Sequence, residues 1–561
     1  MSKIRDIDLK PCAFANMHKL RYLNFYVSSF GDANKVHVSE DHEFDFTELR
    51  YLSWHGCPMK SLLSSFLPEN LVKLDMSNSK IEQLWNGVQH CAKLKEINFG
   101  GSSITICPDL SGFPNLKRLY LYNCKYLHEI SSSIQDLDKL DFLQLSLCSN
   151  LEILPEMPCN LESLLLGNSH KGDAMVCWFL PRIVGCHNLI FLDISYCGIT
   201  NLPDLDCLSS LTDLYLDGNS FESIPTSIIN LSNLERLNID HCKKLKSLPA
   251  LQLLKICAFG CTSLEVLQCL PIFKNNALFT YMRFSYSAFN GHLYSEDILY
   301  ADFGNCCKLD PNISEDIVKD AIRKIQYTRE YSVLYSLDDK AAVVDAFICY
   351  PGSEIPEWFK FRSNESFINV ELPPDWFDYN YAGFVLSVVV APCLDHQDDE
   401  VEYWRIEWNC NLKPKDGDPC VRTGLFYVDI NEEQDIRSNH VFVYSCVNIS
   451  PSELLFCDNE ITFQFYIRHD MKQQYKVEKC GVHLIFAQHR EEVNGSSRIR
   501  EDEDVLSLAN VHDKCEEEDE LIKMFKALCV LNCGMHVYLK EAFLLDSVGY
   551  LSVNCLDLDS P

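Results

Sequence analysis

Twenty-eight cysteines and 17 histidines, spread over 561 residues, are the side chains from which metal, redox or nucleophilic chemistry could be assembled. A zinc or redox site needs thiols paired at short fixed spacing, as in C-x-x-C, because one ion or one disulfide must be reached from adjacent stretches of chain. The cysteines of the β region (Cys349, Cys393, Cys410, Cys420, Cys446, Cys457, Cys480) show no such pairing, and Cys306-Cys307 is a vicinal pair better read as packing. His483 and His489 have no evident partner. There is no G-x-x-x-x-G-K-[ST] loop to cradle phosphates, and no G-x-G-x-x-G, H-E-x-x-H or G-x-S-x-G. The expectation is a chain with no catalytic residue, no cofactor and no metal, hence not an enzyme. A hidden enzyme would require a pocket with convergent polar groups.

Six of the other cysteines follow a repeat. The pattern L-x-x-L-x-L begins at Leu20, Leu49, Leu71, Leu94, Leu116, Leu140, Leu161, Leu189, Leu211, Leu234 and Leu253, at leucine-rich-repeat intervals. In Leu116-Lys-Arg-Leu119-Tyr-Leu121, alternation along a short strand sends Leu119 and Leu121 inward and Arg118 and Tyr120 outward. One repeat cannot bury its leucines alone. Stacking closes the core and predicts an α/β leucine-rich-repeat solenoid, a horseshoe with parallel strands on its concave face. The ninth position of the repeat holds Cys57, Cys124, Cys148, Cys197, Cys242 and Cys261, with Asn219 in one more. These residues are expected to form a structural ladder, bonding neighbouring backbone, rather than a metal cluster.

The outward strand positions carry Tyr22, Tyr51, Arg118, Tyr120, Phe142, Phe191, Tyr215 and Arg236. Aromatic residues and Arg dominate binding hot spots, so this stripe is the candidate partner-binding surface. The plainer reading is that these side chains pack against one another up the ladder.

The expected organisation is a solenoid over 1–268, a connecting segment over 269–335 and an all-β sandwich over 336–490. An acidic linker follows over 491–520 and a tail of unassigned structure over 521–561. In the connecting segment a helix is expected at about 312–329, with Asn312 and Glu315 as a capping box and Ile313, Ile317, Ala321 and Ile325 on one face. In the β region Ile461, Phe463, Phe465 and Ile467 alternate with Thr462, Gln464, Tyr466 and Arg468. The linker has 12 acidic against 3 basic residues. A formal charge of −31 repels phosphate backbones, which argues against nucleic acid as a partner. The start, MSKIRDIDLK, lacks an apolar run, and the longest apolar stretch, Ala382 to Leu394, is too short to span a bilayer. A cytoplasmic location is expected, with the nucleus also open, and reduced thiols fit it.

Several segments carry a family likeness. The opening, MSKIRDIDLKPCAFANMHKLRYLNFY, the variants Tyr51-Leu-Ser-Trp-His-Gly-Cys57-Pro58 and Ala258-Phe-Gly-Cys261-Thr-Ser-Leu264, and the closing motif Phe303-Gly-Asn-Cys-Cys-Lys-Leu-Asp310 are of this kind. So are Tyr350-Pro-Gly-Ser-Glu-Ile-Pro-Glu-Trp-Phe359, Leu372-Pro-Pro374 and Lys479-Cys-Gly-Val482. Together they resemble the repeats and the post-repeat jelly-roll or Ig-like domain of plant TIR-type nucleotide-binding leucine-rich-repeat disease-resistance proteins, over residues 1 to about 490. The resemblance implies the effector-sensing part of an intracellular immune receptor. Its partner would be a pathogen effector or a host protein, and full-length receptors of the same kind are further candidates. The family's TIR and nucleotide-binding domains, and the TIR domain's NAD cleavage, have no counterpart in these residues. The chain then reads as a truncated product, a misassembled gene, or a stand-alone sensor or decoy that regulates full-length receptors. A non-immune scaffold or adaptor is the alternative.

Overall fold

The computed structural model describes residues 7–9, 17, 19–26, 36–38, 47–61, 69–83, 89–169, 180–183, 185–251, 253–267, 299–310, 312, 316–323, 326, 346–372, 381–393, 404–414, 420–426, 436–446, 457–469, 475–486 and 550–554. The leucine positions do what their spacing requires. Leu116, Leu119 and Leu121 are closed off from solvent, as are Leu140, Leu143 and Leu145 one repeat later. Between them, three-residue strands such as Arg118–Tyr120 and Phe142–Gln144 pair in parallel and in register. The same register runs from Tyr22–Tyr26 through eleven rungs to Lys255–Cys257. The opposite side is built from turns, isolated bridges and 3-10 segments such as Ser132–Asp136 and Thr226–Asn230. These take more room per repeat than a strand, so the sheet lies on the inner arc.

The solenoid continues past the expected boundary at 268. Leu299–Asp302 is a twelfth rung, pairing Tyr300, Ala301 and Asp302 with Lys255, Ile256 and Cys257. Its strand is separated from the eleventh by a long insertion in the repeat, which hides it from a period search.

The ninth-position ladder forms, and it is longer than six cysteines and an asparagine. Cys124 donates its thiol to Phe99 O at 3.2 Å, Cys148 to Leu121 O at 3.0 Å, Cys197 to Leu166 O at 3.4 Å, Cys242 to Leu216 O at 3.3 Å and Cys261 to Ile239 O at 3.0 Å. Each bond ties a repeat to the one before it. Cys306 repeats the bond in the twelfth rung, to Ala258 O at 3.1 Å, while Cys307 is exposed. Ser79, Ser102 and Ser169 fill the same position in the third, fourth and seventh repeats, all buried. Cys57 is buried in the second.

The residue just before each ladder position is left-handed throughout. Positive φ occurs at Gly56, Asn78, Gly101, Asn123, Leu147, Asn168, Tyr196, Gly218, His241, Gly260 and Asn305. This turn aims a backbone N–H at the next rung: Asn123 N reaches Ser146 O at 2.7 Å and Gly260 N reaches Gly304 O at 2.7 Å. For Leu147 and Tyr196 the conformation is strained, because a Cβ crowds the carbonyl there.

The last rung is closed by the β domain. Ala346–Pro351 pairs in parallel with Leu299–Asp302 and antiparallel with His440–Cys446, so one sheet passes from the solenoid into the sandwich. Asn305 N, which has no thirteenth repeat to bond, donates instead to His440 Nε2 at 2.8 Å. Asn305 Oδ1 accepts from Arg437 N at 3.2 Å. That sheet continues through Tyr381–Pro392 and Tyr475–Phe486 to Phe361–Ser363. A second sheet has the order Phe367–Glu371, Cys457–His469, Trp404–Pro414, Cys420–Phe426. Ring contacts join the two sheets, Phe384 to Phe463 at 5.1 Å and Trp404 to Phe442 at 5.9 Å. The alternation at 461–468 is realised: Ile461, Phe463 and Phe465 are buried, Ile467 partly so.

The connecting helix is present at 316–323, where Ile317, Val318, Ala321 and Ile322 are buried. Its buried face is therefore wider than a strict four-residue step. Near its start, Asp310 Oδ1 accepts the Asn312 backbone N–H at 2.9 Å and its side-chain amide at 3.0 Å. Glu315, Ile313 and Ile325 lie outside the described residues, as does the linker at 491–520. Of the tail, Tyr550–Asn554 is a strand paired in parallel with Tyr22–Tyr26.

Candidate functional site

Outward side chains of the parallel strands form rows across the concave face, about 4.8 Å apart from rung to rung. All eight stripe residues stand on these strands. The register puts Tyr22 beside Tyr51, Arg118 beside Phe142, and Asp213 between Phe191 and Arg236. The structure gathers them into three groups rather than one stripe. Tyr22 and Tyr51 lie 6.3 Å apart between ring centroids. Tyr120 meets Phe142 at 4.9 Å, with Arg118 on the same strand. Phe191 meets Tyr215 at 5.0 Å, and beside them Arg236 pairs with Asp213 at 2.8 Å. Lys73 and Glu96, paired at 2.6 Å, separate the first group from the second, and Ser163 separates the second from the third. Tyr51 and Arg118 are exposed and the others half-buried, so lateral packing uses up part of each ring.

A set of carboxylates in the same rows went unnoticed in the sequence. Asp193 Oδ1 accepts from Ser195 N at 3.0 Å. Asp217 Oδ1 accepts from Asp240 N at 2.8 Å, and its Oδ2 from Ser195 Oγ at 3.2 Å and Asn238 Nδ2 at 3.1 Å. Asp240 Oδ1 accepts from Phe259 N at 2.7 Å, and Asp302 Oδ1 from Gly304 N at 2.8 Å. Lys255 lies 4.6 Å over the Tyr300 ring, between Asp240 and Asp302 along the sheet. Burial pushes Asp217 up to about 7 and Asp302 up to about 6, and it also raises Asp193 and Asp240. Burial next to other acids is legible only once the parallel pairing puts Asp193, Asp217 and Asp240 on three successive rungs.

Burial keeps most of the ladder thiols protonated; Cys124 is the exception, its pKa lowered by the hydrogen bond with the Cys148 thiol. Burial pushes Cys57 and Cys242 up to about 12, so neither is a thiolate near neutral pH. Among the described residues, no group of three or more His, Cys, Asp or Glu is arranged to hold a metal ion.

In the β domain two of the sequence motifs meet. Ile355 and Phe359 are buried, and a Cβ on Gly481 would stand 2.5 Å from Ile355 and 3.1 Å from Phe359. Glycine in Lys479-Cys-Gly-Val482 is what lets the Ile355-Pro-Glu-Trp-Phe359 segment seat against that strand. His483 is packed: Trp358 meets its ring edge-on at 5.0 Å, and burial lowers its pKa. His489 and the loops between most strands of the sandwich lie outside the described residues. No described helix is long and apolar enough to cross a membrane.

Comparison with known proteins adds an independent line. Residues 350–491 match the C-JID domain family, and residues 70–89 match a leucine-rich-repeat family. Disease resistance-like protein DSC1 of Arabidopsis thaliana is 26% identical over 86% of this chain and 50% of its own length. Disease resistance protein RPS4B of the same plant is 28% identical over 84% of this chain and 44% of its own length. Disease resistance protein RPS6 is 33% identical over 55% and 30%. The chain thus spans about half the length of the first two, or less. Among solved structures, an internalin, InlF, of Listeria monocytogenes matches at 18% identity and a TM-score of 0.30, over 40% of this chain and 74% of that one.

Proposed function

We propose that this chain, a leucine-rich-repeat and C-JID relative of plant TIR-type nucleotide-binding disease-resistance proteins, is the protein-recognition part of an intracellular immune receptor. It would bind a pathogen protein inside the cell through the concave repeat face together with the β domain. The carrying observation is that a single sheet holds both surfaces. The rows that display Arg118, Tyr120 and Phe142 run without a break into Ala346–Pro351 and so into the sandwich. A partner touching both would gain from a fixed frame, without ordering a linker first. We read the surface as a binding face rather than a catalytic one, because its buried carboxylates are engaged by backbone N–H groups and by neighbouring side chains.

The test is the full chain with Arg118, Tyr120 and Phe142 changed together to Ala, used in pull-downs against candidate pathogen effector proteins. These side chains point away from the leucine core, so the fold should survive. Binding should weaken by about 2 kcal/mol or more if they form a hot spot. Undiminished capture of the same effector by the triple variant would refute the concave-face reading.

A further inference from the structure

The charges on the concave face are sorted by position. In the first five repeats the outward strand positions, with the residue preceding each strand, carry Arg21, Arg50, Lys73, Lys95, Lys117 and Arg118 against Asp75 and Glu96. In the next five the same positions carry Asp141, Glu162 and Asp213, the last paired with Arg236. Burial raises the pKa values of Asp193, and of Asp217 and Asp240 after the final leucine or isoleucine of their strands, so these three add less charge. Glu235 is a seventh carboxylate there, and Arg236 the single cation. The sites preceding the strands show the change most plainly: Arg21, Arg50, Lys95 and Lys117 on one side, then Asp141 and Glu162 in the two repeats that follow. In a chain of net charge −31, a cationic half-face is itself a departure from the background.

Distance keeps the two halves separate. From the third rung to the eighth is five steps of about 4.8 Å, or roughly 24 Å. That is about three Debye lengths at physiological salt, so neither half cancels the other's field. At the boundary sits Gln144, buried on the outward row between Tyr120 and Leu165, with an Oε1 that no group among the described residues hydrogen-bonds. A buried carboxamide oxygen without a donor is costly, and a donor brought by a partner that shifts a neighbouring ring would satisfy it.

We infer that the concave face docks a protein partner of bipolar charge, which lays an acidic element on the first five repeats and a basic element on the next five. The inference rests on the recognition role proposed above and specifies the partner's chemistry. A nucleic acid does not fit, because its uniform negative charge would meet the acidic half. A second copy has complementary halves, but two concave faces touch only at their rims.

Three synthetic peptides test this on the full chain by fluorescence anisotropy: a Glu/Gly peptide, a Lys/Gly peptide, and the two joined by a flexible Gly/Ser linker of about 16 residues. Such a linker has a root-mean-square span of roughly 20–24 Å. The joined peptide should bind at least tenfold more tightly than either half, with a steep loss between 50 and 300 mM salt. Lys95→Glu with Lys117→Glu should abolish the gain and the binding of the acidic half. Asp141→Asn with Glu162→Gln, at the more accessible acidic sites, should do so for the basic half. Glu129→Gln with Asp136→Asn, which removes the same charge from a half-buried and an exposed site off the concave strands, should change nothing. The inference falls if the joined peptide gains nothing, if the off-face pair weakens the basic peptide equally, or if sedimentation shows a dimer that the same charge variants dissociate. If it falls while the Arg118, Tyr120 and Phe142 variant still loses its effector, the recognition role stands and only the partner's charge pattern is wrong.

Discussion

Asn219 is the one ladder position where three bonds replace a single thiol contact, so it offers a graded test of how the repeats are tied together. Its Oδ1 accepts Ile199 N at 3.0 Å, and its Nδ2 donates to Ile194 O at 3.0 Å and Leu216 O at 2.7 Å. The residue is 2% exposed and Ile199 is fully buried, so water cannot replace what is removed. Asn219→Ala strands the Ile199 N–H, at about 1–3 kcal/mol, and loses two further bonds worth roughly 0.5–1.5 kcal/mol each. Leu216 O keeps the Cys242 thiol at 3.3 Å, which trims the loss. The expected cost is about 3–4 kcal/mol. Asn219→Cys should cost less, about 2 kcal/mol, because a thiol there can donate to Ile194 O as Cys242 does to Leu216 O. Urea unfolding followed by tryptophan fluorescence measures both, and hydrogen exchange at Ile199 localises the effect. Nearest-neighbour coupling dominates solenoid stability, so a broken rung should also lower cooperativity. If the alanine variant unfolds within 0.5 kcal/mol of the parent, the ladder is not what joins these repeats.

Three further outcomes follow from the same geometry. Burial raises Asp217 to about 7, so its contribution to stability is full below its ordinary 3.8 and is lost as pH rises through 7. Asp217→Asn should therefore be stabilising at pH 8, on the order of 1 kcal/mol after discounting for partial solvent contact, and nearly neutral at pH 5; equal pH slopes in thermal melts would contradict this. Leu147 has φ +64° and is exposed, so Leu147→Asn should raise the melting temperature, by about 0.5–1 kcal/mol of stability, and a lower one would show that the strain is imaginary. Burial holds His440 down at about 4, so its neutral ring contributes fully above 6.5 and progressively less as pH falls toward 4. His440→Phe should lose that acid sensitivity while speeding exchange of the Asn305 amide at every pH, and an unchanged amide would show that the contact is dispensable.

The repeat was legible because a buried leucine has few substitutes and a strand has a fixed period. Ser79, Ser102 and Ser169 are not legible as ladder residues because serine is not typical of that site, although a small side chain fits it and the Ser169 hydroxyl bonds the preceding repeat at Leu145 O. Leu299–Asp302 escaped because an insertion breaks the interval while leaving the rung intact. The aromatic stripe was found as a set of positions, but whether Tyr120 turns to Phe142 or to a partner is decided by neighbouring rungs, which spacing does not encode. His440 had no signal at all. Its importance comes from a bond across 135 residues, and nothing local distinguishes it from the other histidines.

That distance has a consequence for how the protein is made. Repeats can close as they leave the ribosome, because each needs only its predecessor and its successor. The twelfth rung cannot, since the group that accepts Asn305 N lies 135 residues downstream. At about 5–20 residues per second, synthesis of that stretch takes roughly 7–27 s, during which the end of the solenoid is uncapped. Nascent chains stalled before residue 440 should be cut by protease near the twelfth rung, and chains stalled after residue 520 should not. Equal protection in both would mean that the end closes without its histidine. The sandwich is thus also a timer, and its completion marks the moment at which the whole sheet becomes one body.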